Sequence, residues 1–263
     1  MKPLTVVTFC HRGSRPIYAP WHVVNLRAMY AKHLTVLHDF VVVTDDVTPY
    51  AALGIRAIPL WASPDPNATN RHWLFNYNRL RLFDPWAAEN IGPRLLCSDL
   101  DMVIRENIDD LVKDPAPFKA IAMKSRIQLQ GAFFIVEPGC VEPNPWTALH
   151  EDATLLQRAS KWVGSDQAVM SELFYGRVPT WDEDDGLIIN QFEYPRWRVF
   201  FRTGSHKCWH PDAPERALYM SESGATDDAP IMFGSSRPPL SARTPGGLQT
   251  RVRRYVVGQP RKR

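Results

Sequence analysis

Two aspartates between apolar runs constrain the fold of this chain more than any other feature. The stretch Leu95–Ile104 holds Asp99 and Asp101 between two hydrophobic segments. In an extended segment alternate side chains share a face, so the two carboxylates are predicted to project together. Like charges held this close repel each other unless a cation lies between them or one carboxyl stays protonated. A hard divalent ion such as Mg2+ or Mn2+, shared with a substrate diphosphate, meets this requirement.

The patterns around this stretch predict one α/β domain that continues into an irregular C-terminal extension. The chain has 263 residues, of which 44% are hydrophobic, which is enough for a full core. Strand-like and helix-like segments alternate along most of the chain. Besides the segment entering Asp99, the predicted strands are residues 4–9, 40–44, 55–60, 118–123 and 130–136. The predicted helices are residues 18–33, 76–83, 108–112, 146–162 and 168–174, and the chain is expected to become irregular after residue 176.

The positive charge is concentrated at the C-terminus. The formal charge is +3 overall, but residues 241–263 carry +7 and no acidic residue, which leaves −4 for residues 1–240. We therefore expect a mildly acidic domain over residues 1–240 and a basic tail over residues 241–263. The tail alternates arginine with apolar residues, which allows two interpretations. It is either a solubilising end, or residues 251–263 contact a polyanion, which would be nucleic acid or an anionic membrane.

Cysteine usage and hydropathy predict a soluble cytoplasmic protein. The four cysteines are far apart and form no C-x-x-C pair, which argues against a zinc site or a disulfide framework and suits a reducing compartment. The N-terminal apolar run is too short for a signal peptide and is typical of a strand. No apolar stretch has the length of about 20 residues that spans a bilayer, so no transmembrane segment is expected. Peripheral contact with a membrane or a nucleic acid stays open.

Several polar residues follow predicted strands or begin helices. In a parallel α/β sheet ligands bind beyond the carboxyl ends of the strands, which places Thr8 and His11 near any nucleotide. Asp166 is either a functional carboxylate or only part of a helix N-cap, and Arg79 is either functional or a surface cation beside Arg81.

Three acidic groups also have structural interpretations. Asp99 and Asp101 could simply end a strand in solvent. Asp45 and Asp46 are typical of a turn. Residues 181–185 include four acidic side chains, which form either a rival metal cluster or a solvated loop.

Six segments in order resemble GT-A fold glycosyltransferases, in the branch of glycogenin-like and bacterial oligosaccharide galactosyltransferases. The resemblance covers residues 4–175 and implies a Rossmann-like domain with a mixed, mostly parallel sheet. It is carried by the strand ending at Thr8, Val42-Val43-Thr44-Asp45-Asp46, Asn78-Arg79-Leu80, Leu96-Cys97-Ser98-Asp99-Leu100-Asp101, Gln130-Gly131-Ala132-Phe133 and Gly164-Ser165-Asp166-Gln167.

The resemblance assigns roles to these residues. Asp99 and Asp101 would bind Mn2+ or Mg2+, with Asp99 also near the donor ribose. Arg79 would reach the donor, and Thr8 would touch its nucleobase. Gln130 and Gly131 would line the sugar or acceptor side, and the catalytic candidates Asp166 and Gln167 would face the transferred sugar.

The C-terminal part departs from the family pattern. Relatives carry a histidine that completes the metal shell before a G-x-P-K-P-like stretch, whereas the nearest match here, residues 228–239, holds no histidine. His206 and Lys207 are the candidates for the missing metal ligand and the missing donor contact.

The resulting prediction is a metal-dependent enzyme that moves a sugar from a nucleotide-diphosphate donor, a UDP-sugar first of all, to an acceptor hydroxyl with retention. A glycan, a lipid-linked saccharide, a protein hydroxyl and a modified DNA base are all compatible acceptors. Two alternatives remain. One is a haloacid-dehalogenase-like phosphatase, whose nucleophile motif is also D-x-D. The other is a non-catalytic relative that binds nucleic acid.

Overall fold

A computed structural model of the protein describes residues 2–11, 18–61, 72–122, 128–189 and 199–201. Within these ranges, no helix combines the length and the apolar character that crossing a bilayer requires. The strands are β1 (Leu4–Cys10), β2 (His38–Thr44), β3 (Arg56–Pro59), β4 (Arg94–Ser98), β5 (Met102–Ile104), β6 (Phe118–Ala122), β7 (Leu129–Val136), β8 (Thr180–Trp181), β9 (Leu187–Ile189) and β10 (Val199–Phe201).

The main sheet is mixed and mostly parallel, as the sequence predicted. Its seven strands run in the order β3-β2-β1-β4-β7-β6-β8. The four strands from β3 to β4 are parallel, and β7 runs antiparallel to both of its neighbours. The carboxyl ends of β1 and β4 lie side by side, because Thr8 pairs with Ser98. The amino end of β7 reaches the same edge, where Phe133 pairs with Ser98.

Helices bury both faces of this sheet, which explains why β1, β4 and β7 are buried along their whole length and rich in apolar residues. On one face, Leu26, Met29 and Tyr30 of the first helix join the core. On the other face the core includes Leu80 and Val169. The helices are α1 (Pro20–His33), α2 (Thr48–Ala52), α3 (Pro85–Asn90), α4 (Asp109–Lys113), α5 (Pro145–Glu151), α6 (Leu155–Ala159) and α7 (Asp166–Phe174), with 3-10 helices at His72–Phe83 and Glu183–Asp185.

The helix predicted over residues 146–162 is wrong as a single element. The structure has two short helices there, α5 and α6, and the chain turns between them at Asp152. The Asp152 carboxylate accepts hydrogen bonds from the backbone N–H and the hydroxyl of Thr154, at 2.9 and 2.7 Å. A side chain that bonds the nearby backbone in this way favours a turn over a continuous helix.

The expectation of irregular structure after residue 176 is also corrected. Strand β8 pairs with β6 at the edge of the main sheet. Strands β9 and β10 form a second sheet with β5, in the order β5-β10-β9. These strands are two or three residues long. Such short segments carry no periodic pattern, so only their pairing partners define them.

Candidate functional site

The two aspartates of the D-x-D motif lie in a turn and not in an extended segment. Strand β4 of the main sheet ends at Ser98, and β5 of the second sheet begins at Met102. Asp99 is fixed at the end of β4 because its backbone N–H donates to the carbonyl of Ala132 at 2.9 Å. The alternation argument for a shared face is therefore wrong. The two carboxylates still interact, since Asp99 raises the pKa of Asp101.

Arg79 of the 3-10 helix joins three chain segments at this edge. Its Nη2 donates to Oδ1 of Asp99. Its Nη1 donates to the carbonyl oxygen of Gly131 at 3.1 Å and lies 3.5 Å from Oδ2 of Asp166. The guanidinium carbon is 5.9 Å from the ring centroid of Phe9, at the end of β1. Arg79 is therefore the centre of a cluster at the carboxyl ends of the parallel strands, not an ordinary surface cation.

A bulge in β7 directs backbone oxygens toward this cluster. Ala120 of β6 pairs with Phe134, but the next residue of β6, Ile121, pairs with Gln130. The residues of β7 between these pairs therefore have no counterpart on β6. The carbonyls of Gly131 and Ala132, inside the bulge, accept the hydrogen bonds from Arg79 and from the Asp99 backbone. Bulges beside functional sites commonly reorient groups in this way.

Gly131 is required by the carboxylate of Asp166. A Cβ atom at this position would lie 2.4 Å from Oδ2 of Asp166, well inside contact distance. Asp166 begins α7 and is 3% exposed, so its carboxylate has little room to move away. The absence of a side chain at Gly131 therefore lets β7 approach the carboxylate of Asp166 closely.

Burial and neighbouring carboxylates raise the pKa values of Asp99 and Asp101. Burial raises the pKa of Asp99, which Asp166 raises further, while Arg79 opposes both effects. Burial and the Asp99 charge raise the pKa of Asp101, against a hydrogen bond from Tyr18. Burial lowers the pKa of Arg79, but Asp99, Asp166 and Asp101 together raise it above its ordinary value.

Among the described residues, the cluster holds more carboxylates than cations. Three carboxylates, from Asp99, Asp101 and Asp166, interact there with the guanidinium of Arg79. Carboxylate oxygens are the ligands that Mg2+ and Mn2+ prefer, so Asp99 and Asp101 fit a divalent ion. No three His, Cys, Asp or Glu side chains in the described part of the chain are grouped to hold a metal by themselves. The proposed third ligand His206, and Lys207, lie outside the described residues.

The remaining predicted site residues differ in their surroundings. Thr8 is fully buried, and its hydroxyl has no hydrogen-bond partner among the described residues. His11 follows β1 directly and is partly buried. Gln130 is fully buried at the edge of the bulge, and neither of its amide atoms bonds any residue that the structure describes. Gln167 donates from Nε2 to the carbonyl of Val163 at 2.8 Å. The described contacts therefore join Gln167 to the loop before α7, not to Arg79.

The rival acidic run forms a self-capped turn. The backbone N–H of Asp182 donates to Oδ2 of Asp185 at 3.0 Å, and that of Asp184 donates to Oδ1 of Asp182 at 2.8 Å. Asp46 likewise accepts from the backbone of Thr48 at 3.0 Å. In both segments these carboxylates bond nearby backbone, which agrees with the turn predicted at Asp45 and Asp46.

Sequence patterns missed several contacts of the cluster. Tyr18, just before α1, hydrogen-bonds Asp101. Phe9 lies against Arg79, and the carbonyls of Gly131 and Ala132 bond the Arg79 side chain and the Asp99 backbone. The position of Tyr18 after the first strand and its loop is a signal that could have suggested a role at the strand ends. Nothing in the sequence marks the two carbonyls.

The sheet order and the site at its carboxyl edge define a mixed, mostly parallel α/β protein with the GT-A arrangement. Solved structures show the same fold. One is the galactosyltransferase LgtC in complex with donor and acceptor sugar analogs, with a TM-score of 0.56 and 14% identity. Another is the active-site Gln-to-Glu variant of LgtC, with a TM-score of 0.57 and 16% identity. Each match covers 87% of this chain and 98% of the other.

This likeness establishes the GT-A fold. No family model matches the sequence. No curated protein sequence matches it either. The activity must therefore be argued from the site.

Proposed function

We propose that this protein is a metal-dependent glycosyltransferase that transfers a sugar from a nucleotide-diphosphate donor to an acceptor hydroxyl. The observation that carries the proposal is the grouping of Asp99, Asp101 and Asp166 around Arg79, at the carboxyl ends of the strands of a GT-A fold. Ligands of open α/β sheets bind at this edge. An excess of negative charge there favours a cation, and a diphosphate in turn binds well to a cation.

Asp99 and Asp101 would hold Mn2+ or Mg2+, which when bound neutralises the negative charge that develops on the departing diphosphate. Arg79 keeps Asp99 ionised and oriented, because it donates to that carboxylate directly. Asp166 presents a nearly buried carboxylate, which would stabilise the positive charge that grows on the sugar ring during transfer. Burial strengthens this interaction because the local dielectric constant is low.

Gln167 remains a proposed catalytic residue. Its amide now bonds Val163, next to Gly164, whose φ is +99°. One of the similar structures is a variant in which an active-site glutamine was replaced, which supports testing this glutamine. Retention at the anomeric carbon is proposed from the family resemblance alone.

The donor and the acceptor are also proposals. A UDP-sugar is the first donor to test, with Thr8, His11, Gln130, Gly131 and Lys207 as further donor-binding candidates and His206 as a metal ligand. The acceptor is a glycan, a lipid-linked saccharide, a protein hydroxyl or a modified DNA base. The basic residues 251–263 would favour a polyanionic acceptor or surface.

A nucleotide-sugar screen tests the proposal. Thermal shift and product release are measured for a panel of nucleotide sugars with and without Mn2+. We expect at least one donor to stabilise the protein only with Mn2+, and Asp101→Asn to lower turnover by about 100-fold or more. Asp110→Asn, an exposed acidic residue of α4, serves as the matched control and should keep full turnover.

Three results would count against the transferase. One is a lack of hydrolysis or transfer with every donor, together with an Asp101→Asn variant that behaves like the wild type. Another is hydrolysis of p-nitrophenyl phosphate that depends on Asp99, which would indicate the phosphatase. The third is salt-sensitive binding of duplex DNA, lost on deleting residues 241–263 and accompanied by no sugar chemistry, which would indicate the binding protein.

A further inference from the structure

Gln128 holds the loop of residues 160–165, which leads into the candidate catalytic residues Asp166 and Gln167. Gln128 lies directly before β7 and is 5% exposed. Its Oε1 accepts from the backbone N–H of Val163 at 3.1 Å, and its Nε2 donates to the carbonyl of the same residue at 3.4 Å. The Val163 side chain is 66% exposed, so its burial contributes little to fixing the loop. One buried amide therefore holds the loop by its backbone.

The loop backbone in turn holds the side chain of Gln167. The Nε2 of Gln167 donates to the carbonyl of Val163 at 2.8 Å. The next residue of the loop, Gly164, has a φ of +99°, and a Cβ atom there would lie 2.6 Å from Cγ of Gln167. The Gln167 side chain thus packs directly against the loop, so a shift of this backbone would move the amide with it.

The other hydrogen bonds of the loop connect it to α7 itself. The indole N–H of Trp162 donates to Glu172 of α7 at 3.1 Å. Ser165, directly before α7, donates to Oδ1 of Asp166 at 3.2 Å and makes no capping hydrogen bond to the helix backbone. Among the hydrogen bonds of the described residues, those of Gln128 are the ones that join this loop to the segment entering β7.

We propose that Gln128 is a positioning residue for Asp166 and Gln167, an inference that rests on the proposed function. Both side chains follow the loop directly, and Asp166 lies against Gly131 with Oδ2 3.5 Å from Nη1 of Arg79. Sugar transfer needs these groups at fixed places, since a misplacement of about 1 Å can lower a rate by about 100-fold. Gln128 acts through the loop and not on the substrate.

The rest of α7 has its own attachments to the sheet. The backbone N–H of Leu129 donates to Oγ of Ser171 at 2.9 Å, which ties the middle of α7 to β7. Val169 and Met170 of α7 are fully buried in the core. Replacing Gln128 should therefore loosen the loop and the first turn of α7 and leave the fold intact.

The test follows turnover and the orientation of Gln167 separately. Gln128→Met keeps a similar volume and removes both bonds to Val163. With the donor found in the nucleotide-sugar screen, kcat should fall by about tenfold or more. The KM for that donor should change by less than about twofold, because the lost precision affects the transition state more than donor binding. In 15N NMR spectra recorded without donor or metal, the side-chain amide resonance of Gln167 should move. This resonance is assigned by its absence in Gln167→Glu.

Asn144→Leu is the matched control. Asn144 precedes α5 and also uses one amide to hold two backbone groups. Its Oδ1 accepts from the N–H of Trp146 at 2.9 Å, and its Nδ2 donates to the carbonyl of Phe83 at 3.2 Å. Because similar bonds are lost, this variant should lower the melting temperature about as much as Gln128→Met does. It should leave kcat and the Gln167 resonance unchanged.

Two outcomes overturn the inference. One is a Gln167 resonance that stays in place in Gln128→Met. The other is a kcat that falls no further in Gln128→Met than in Asn144→Leu. If the wild type turns over no nucleotide sugar, the proposed function itself fails, and the NMR comparison still decides whether Gln128 orients Gln167.

Discussion

A buried or partly buried arginine lies near each end of strand β4, Arg94 at the amino end and Arg79 at the carboxyl end. The balance of positive and negative charge around the two arginines is opposite. At the amino end Arg94 is 2% exposed and donates to the carbonyl of Ala116 at 3.1 Å and to Oε1 of Glu137 at 2.8 Å. Lys2 donates to the other oxygen of Glu137 at 2.8 Å. At the carboxyl end, Arg79 is the one described cation that interacts with the carboxylates of Asp99, Asp101 and Asp166.

The pKa shifts of the carboxylates report this difference. Burial acts to raise the pKa of Glu137, but its bonds to Lys2 and Arg94 hold that pKa below the ordinary value. Burial and neighbouring acids raise the pKa of Asp99 and Asp101 above it. The amino end is thus arranged for stability. The carboxyl end keeps an imbalance that a bound cation would relieve, and such imbalance is characteristic of functional sites.

The largest expected effect concerns the amino end of β4, where Glu137 is paired with Arg94 and Lys2. Arg94→Met removes a buried guanidinium, so Glu137 keeps only Lys2 as a cationic partner and two backbone carbonyls lose the Arg94 donor. We expect a loss of about 3–5 kcal/mol in the free energy of unfolding, because a hydrogen bond to a charged group is lost and two carbonyls lose a buried donor. Urea denaturation measures it. A loss below about 1 kcal/mol would show that Arg94 contributes little beyond a surface ion pair.

An intermediate effect compares one acid from each end. Glu137→Gln should destabilise the metal-free protein by about 2 kcal/mol, since hydrogen bonds to a charged group are lost. Asp101→Asn should stabilise the metal-free protein by about 1 kcal/mol near pH 8, because it removes a buried charge repelled by Asp99. Both are measured by denaturation with a chelator present. The contrast in charge balance between the two ends of β4 is contradicted if both variants raise, or both lower, the free energy of unfolding.

The smallest effect is a pH dependence. The raised pKa values mean that the folded protein holds protons on Asp99 and Asp101 that the unfolded chain has released above about pH 4. Because the folded state binds these protons more tightly than the unfolded state does, their titration lowers the free energy of unfolding as the pH rises. The stability advantage of Asp101→Asn over the wild type should therefore grow by about 1 kcal/mol between pH 5 and pH 8. Thermal melts without metal measure this advantage. A difference in stability between variant and wild type that stays constant or shrinks as the pH rises would contradict an excess of negative charge around Asp101.

Local sequence patterns predicted most of the sheet but not its connections at the site. Strands β1 and β2 and helix α1 were predicted within a few residues, because apolar runs and helical spacing mark buried elements directly. The D-x-D segment was predicted as extended and is a turn between two sheets. Its partner strand β10 lies almost a hundred residues later in the chain. No local pattern contains that pairing.

Arg79 and Arg81 show the same limit at the level of single residues. Both lie in the same 3-10 helix, and the sequence could not separate a functional cation from a structural one. The structure gives the two arginines different partners. Arg79 bonds Asp99, whereas the guanidinium carbon of Arg81 lies 3.9 Å from the ring centroid of Trp86 and also faces Trp61 and Trp146.

The sequence by itself determined the α/β class, the strands whose carboxyl ends form the site, and the chemical types gathered there: paired aspartates, an arginine and a glycine. These follow from side-chain character and short-range periodicity. Only the tertiary structure decided that Asp166 lies against Gly131, that Arg79 links the segments around it, and that the buried amide of Gln130 bonds none of the described residues. Such facts depend on contacts between segments far apart in the chain, where burial and charge are set by neighbours that local sequence does not contain.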